Sequence, residues 1–275
     1  MDIREKMKLM YDNPVIGWHE HVWFTDQWNG DLRPNYKSME SQIASYKKLG
    51  IDKSVISLPV TEPKRCSVEL FQAANKAIYD AVQAYPDVYY GMAYVHAGYL
   101  KEALYEIDHC VQDLGMVGIK IYFDYFLDDP LQYPIIEKCI ELDIPLMIHS
   151  MKCMDPPNHK SQFTTSDGVR VANAAKLYPE CTFQLGHYTI TDWQFQLKAI
   201  APYKNIYTDI SGSAFDNPQI EEGVRMLGAD RILFATDESH VSCVGKLLGA
   251  NISDEDKKTI LAGKAFERYL RKAGK

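Results

Sequence analysis

The chain has 275 residues, with 30 basic against 37 acidic side chains and a net charge of −7. At 46% hydrophobic and 24% charged it has the balance of a globular protein with enough apolar material for a core. The acidity argues against a nucleic-acid partner, no apolar run nears the ~20 residues of a membrane span, and the charged start MDIREKMKLM lacks the centre of a secretory signal. The six cysteines (Cys66, Cys110, Cys139, Cys153, Cys181, Cys243) form no CxxC pair and read as reduced thiols of a cytoplasmic protein.

In chain order, a short helix is expected over 1–13, followed by short apolar runs that read as strands. These lie at 15–18, 53–58, 88–95, 117–122, 145–148, 182–185, 205–210 and 231–235. Between them, at 38–49, 68–84, 100–114, 133–142, 168–177, 193–200 and 219–227, apolar residues recur at three- and four-residue steps. Leu-Gly stops at 49–50, 114–115 and 227–228 separate a helix from the next strand. One more helix follows Ser253, which pairs with Asp256 as an N-cap. Eight such units average ~34 residues, close to the ~30 of a strand–helix–strand unit. This spacing predicts an α/β (β/α)8 TIM barrel with a short N-terminal helix and an extra C-terminal helix, in a single domain over 1–275.

Chemistry in such a barrel sits at the C-terminal ends of its strands. The first strand ends in Gly17-Trp-His19-Glu-His21, the fifth in His149, the sixth in Gly186-His187 and the eighth in Ala-Thr-Asp237. Residues two apart on a strand face the same way, so His19 and His21 can grip one cation. His149 and Asp237 complete a nitrogen and oxygen set suited to zinc or a similar divalent ion. His187 is then either a ligand of a second ion or a general acid/base. Lys120 and Tyr122, on the fourth strand, are expected to face the barrel interior. Trp23 and Trp28, after the first strand, form an aromatic wall or pin that loop. Arg33 is the nearest arginine for a substrate carboxylate, His240 a candidate for the pocket rim, and 150–167 a candidate lid.

These residues resemble the amidohydrolase superfamily, in the branch that contains aminocarboxymuconate-semialdehyde decarboxylase and resorcylate decarboxylase. Arg231-Ile-Leu-Phe-Ala-Thr-Asp237 is similar to that family's eighth strand, and Ile260-Leu-Ala-Gly-Lys-Ala-Phe-Glu-Arg268 to its closing helix. The resemblance implies His19, His21, His149 and Asp237 as metal ligands, His187 and Asp237 as catalytic groups, a small-molecule substrate and a homodimer. It also implies one zinc per chain, since that branch is mostly mononuclear. Two departures are Gly17, where the family often has an acidic residue, and Lys264, where asparagine is common. Glu20 could replace the missing carboxylate. Lys120 is open to three readings: a carbamate bridging two metals, an ammonium meeting a substrate carboxylate, or a partner of Asp209.

With no arginine at a strand end, the expected activity is hydrolysis of an ester, lactone or amide by a metal-activated water. The alternative is non-oxidative decarboxylation of an unsaturated or aromatic acid.

Overall fold

The computed structural model describes residues 3–26, 31–58, 66–151, 164–190, 192–212 and 214–272, with backbone only at 25–26 and 31–34. Trp28 and most of the candidate lid, 152–163, lie outside the described residues, as does the side chain of Arg33.

The elements in chain order are α1 (Ile3–Tyr11), β1 (Ile16–His21), β2 (Phe24–Asp26), β3 (Asp31–Pro34), α2 (Tyr36–Leu49), β4 (Lys53–Ser57) and α3 (Val68–Ala84). There follow β5 (Tyr89–Ala93), α4 (Leu100–Asp108), β6 (Gly118–Ile121), α5 (Tyr133–Leu142), β7 (Leu146–Ile148), α6 (Gly168–Leu177) and β8 (Phe183–Leu185). The chain continues through α7 (Trp193–Ile200), β9 (Ile206–Asp209), α8 (Gln219–Leu227), β10 (Ile232–Leu233), α9 (His240–Gly249), α10 (Asp254–Ala262) and α11 (Glu267–Lys272). Eight parallel strands run in the order β1-β4-β5-β6-β7-β8-β9-β10. The circle closes where Trp18 N–H donates to Phe234 O (2.9 Å) and Asp237 N–H to His19 O (3.0 Å). The architecture is the (β/α)8 barrel that the alternating pattern predicts.

Two local features depart from the periodicity. The segment after β1 is an antiparallel hairpin of β2 and β3, too short and polar to carry an alternating signature. The helix expected over 100–114 is α4 as far as Asp108 and then widens into a π-turn over His109–Asp113. Caps follow their residue types: Asn35, Ser67, Asp167 and Ser253 each accept a backbone N–H of the first turn of their helix.

Strand β1 matters most for the site. Gly17 pairs with Ser54 and Glu20 with Ile56, three steps on β1 against two on β4. This bulge lets Trp18 and His19 both turn inward, where strict alternation would separate them. Trp18 is fully buried on a floor with Ile16, Val55, Tyr90, Met92, Val117, Met147 and Leu233, and Phe266, Tyr269 and Leu270 of the tail plug it from below. Gly263, at φ +55°, makes this approach feasible, since a Cβ there would come 2.1 Å from Trp18 Nε1.

Candidate active site

The strand ends bring His19, His21 and Asp237 together: His21 Nε2 is 3.1 Å and His19 Nε2 4.0 Å from Asp237 Oδ1. The far nitrogen of each ring is tied down. His19 Nδ1 is 3.2 Å from Asp209 Oδ2, and His21 Nδ1 is 2.8 Å from the Ser57 carbonyl. Both Nδ1 atoms therefore carry the proton, and both Nε2 lone pairs point to one centre, as in a carboxylate–histidine–metal arrangement. His21 Nε2, 3.1 Å from a carboxylate oxygen, needs a proton or a cation between them.

Behind the histidines, buried Asp209 collects five donors. His19 Nδ1 and Gln184 Nε2 (2.9 Å) reach Oδ2, while the N–H groups of His187 and Ser211 (both 3.1 Å) and the Ser211 hydroxyl (2.5 Å) reach Oδ1. Because the Ser211 hydroxyl is spent on Asp209, its oxygen accepts from His187 Nδ1–H at 2.8 Å. His187 Nε2 is then the acceptor for His149 Nδ1–H at 3.2 Å. That leaves His149 Nε2 as a buried lone pair with no hydrogen-bond partner among the described residues.

The electrostatics follow from these contacts. Burial alone would raise Asp209, but His19 and its bond hold the carboxyl well below the usual range. Asp237 is likewise held low against burial, by His187, His21 and His19. Burial, reinforced by His19, pulls His187 down to about 3, and burial also lowers His19 and His149. His19, His149 and His187 are neutral and the two aspartates ionised.

Lys120 faces inward on β6 and is fully buried, its Nζ 2.7 Å from His19 Nε2 and 5.4 Å above the Tyr122 ring. Burial lowers its pKa to about 8, against the opposing pull of Asp209 and Asp237. Its direct partner is His19, with Asp209 on the other side of that ring. Tyr122 is buried over His149 (ring centroids 5.9 Å apart), its hydroxyl 3.3 Å from Ser57 Oγ.

The donor set fits a divalent cation: two oriented histidine nitrogens, an ionised carboxylate and the orphaned His149 Nε2. His19, His21 and Asp237 converge within 4.8 Å, and so do His19, His187 and Asp209. His149 is in neither group, and its Nδ1 is paired with His187. The Lys120 ammonium and a cation would compete for the His19 Nε2 lone pair.

Other expected residues lie further out. Trp23 is 39% exposed beyond β1, with its indole bonded to Glu238. His240 turns outward from the barrel, its ring 5.0 Å from that of Tyr46 and its Nε2 3.9 Å from Glu20 Oε2. Glu20 holds Thr236 and neither histidine, so the buttress expected of it belongs to Asp209. Ser150 and Ser166 form a bridge that draws together the two ends of the candidate lid. Ser211 and Gln184 are cluster residues that the sequence reading passed over, and Asp209 entered it only as a partner for Lys120. Asp209 ends its strand just as Asp237 follows its own, and the strand-end rule would have found it.

A curated 2-keto-4-carboxy-3-hexenedioate hydratase from Sphingobium sp. is 27% identical over 136 residues, which is 43% of this chain and 40% of that relative. The matched stretch therefore spans about two fifths of the relative's length. Among solved structures, 2,6-dihydroxybenzoate decarboxylase from Rhizobium superposes with a TM-score of 0.74 at 17% identity, over 94% of this chain and 99% of that one. The dihydroxybenzoic acid decarboxylase of Polaromonas sp. JS666, with bound manganese and 2-nitroresorcinol, gives 0.71 at 19% identity, over 94% and 97%. At such identities these likenesses speak for the fold. The amidohydrolase family model (Amidohydro_2) matches residues 17–261, from the glycine that opens the histidine pair to the end of α10, and the chain belongs to that family of enzymes.

Proposed function

We propose that the protein is a divalent-metal-dependent decarboxylase of a small aromatic or unsaturated carboxylic acid. The observation that carries this reading is the Lys120 ammonium, fully buried beside the histidine–aspartate cluster. A buried cation at the barrel centre suits a substrate that brings its own negative charge, which a neutral ester, lactone or amide does not. The decarboxylases among the structural relatives weigh the same way, so decarboxylation displaces hydrolysis as the leading reading.

His19, His21 and Asp237 would hold the cation, with His149 turning its free Nε2 toward it. A divalent ion there would bind the substrate's oxygens and draw electron density from the bond that breaks. Manganese, named in one relative, and zinc, expected from the donor set, are both candidates. Lys120 Nζ pairs with the carboxylate and carries a proton at a pKa of about 8, near enough to neutrality to give it up. The bond between the substrate carbon and its carboxylate breaks and carbon dioxide leaves. The electron pair stays on carbon and takes the proton. Asp237 and His187 bracket the reacting group, while Ser211 and Asp209 keep the His187 ring in one tautomer.

The test is carbon dioxide release from hydroxybenzoates and unsaturated dicarboxylates, with the protein loaded in turn with manganese and zinc. Lys120→Met removes both the carboxylate's partner and the proton donor, so kcat/KM should fall at least about 10²-fold, the scale of losing one charged hydrogen bond of 1.5–3 kcal/mol. Turnover of lactones or amides without carbon dioxide release would overturn the reading. The hydratase relative supports a second reading, addition of water across a conjugated double bond, which would show as loss of ultraviolet absorbance without gas release.

A further inference from the structure

Glu20 lies between the two histidines in sequence yet points to the opposite side of β1. It is fully buried. Its Oε1 accepts the Thr236 backbone N–H at 2.7 Å and its Oε2 accepts the Thr236 hydroxyl at 2.5 Å. Thr236 immediately precedes Asp237. Asp237 and Glu238 both have left-handed backbones, at φ +45° and +65°, a conformation that side-chain-bearing residues hold only when their surroundings enforce it. One carboxylate thus ties the strand that carries both histidines to the strained turn that presents the aspartate. The carboxylate also has a built seat, since a Cβ on Gly17 would come 2.7 Å from Glu20 Oε1. His240, with Tyr46 packed against its ring, closes the other side.

We propose that Glu20 is a positioning residue that sets the geometry of the His19, His21 and Asp237 centre by clamping Thr236, and that Gly17 is the space this clamp requires. The inference rests on that centre being a cation site. It accounts for the glycine where the family often has an acid: the carboxylate comes from the next turn of the pleat and acts on the aspartate's strand. Asp209 orients a ring, whereas Glu20 orients a strand end.

The experiment is titration of the metal-free full-length protein with manganese and with zinc by calorimetry, alongside thermal melts of the same metal-free proteins. Glu20→Ala should weaken cation binding about 10–100-fold, the usual scale for losing a partner behind a ligand. Glu20→Gln can accept the Thr236 N–H and donate to its hydroxyl, so it should recover most of that affinity. Gly17→Ala should weaken binding in the wild-type background and have no further effect in Glu20→Ala. Wild-type affinity in Glu20→Ala, or additive losses in the double variant, would overturn the inference whatever happens to the melting temperature. Absence of cation binding by the wild-type protein would instead overturn the metal-centre reading beneath it. If Glu20→Ala fails to fold, the Gly17→Ala and Glu20→Gln pair still decides.

Discussion

Two sets of buried carboxylates stand a few residues apart and behave in opposite ways. Inside the barrel, Asp209 and Asp237 sit among histidines and Lys120 and are held ionised. Glu20, on the outer side of β1, and Asp124, after β6, each take a hydroxyl, from Thr236 and Tyr94, with a histidine nitrogen further off at 3.9 Å and 3.7 Å. Burial pushes them up to about 8 and about 7. The contrast teaches that burial does not decide charge in this molecule. What separates the two sets is how many donors and charges gather on the carboxyl, five donors on Asp209 against few on Asp124. The inner pair is held as carboxylates, whereas the outer pair takes up a proton far more readily.

That contrast can be broken by experiment, and the largest effect belongs to the inner pair. Asp237→Asn removes the charge that faces both histidines and should lower turnover about 10²–10⁴-fold, with the fold intact by circular dichroism. Unchanged turnover would remove Asp237 from the chemistry. Asp209→Asn comes next. The carboxamide cannot accept from every donor now gathered on the carboxylate, so His19 loses its fixed tautomer and cation affinity should fall about 10–100-fold in calorimetry.

The smallest effect belongs to the outer set and has the opposite sign. The folded pKa of Asp124, about 7, lies above its ordinary 3.8, so the folded chain keeps a proton that the unfolded chain releases. Stability therefore falls as pH rises from about 4 to about 7. Asp124→Asn can still accept the Tyr94 hydroxyl, now 2.9 Å from Oδ2, while abolishing the titration. The variant should match the wild type at pH 4 and be more stable by about 1–3 kcal/mol at pH 8. Equal shifts at both pH values in chemical denaturation would contradict the contrast.

How far this was legible in the sequence depends on the range of the interactions. The barrel was readable because each strand–helix unit repeats a local pattern, and helices such as α3, α5 and α8 begin and end where their apolar faces predict. The convergence of His19, His21, His187 and Asp237 was readable because the ends of neighbouring strands meet in this architecture. Asp209 itself stands at a strand end, but the hub around it was not legible, because its partners come from β1, β8 and the turns after β8 and β9 and share no local motif. The Glu20 clamp was hidden by the bulge in β1, which no alternation rule foresees. His240 was placed by proximity in sequence to Asp237, but the first turn of α9 carries its ring outward.

The bulge also determines how the site meets solvent. Trp18 and His19 are neighbours, one on the sealed floor and the other in the cluster, so a single peptide unit separates dry hydrocarbon from the charged centre. The floor closes the lower side of the cluster with hydrocarbon, so among the described residues its polar side faces the strand ends, where the β2–β3 hairpin and the Ser150–Ser166 bridge lie.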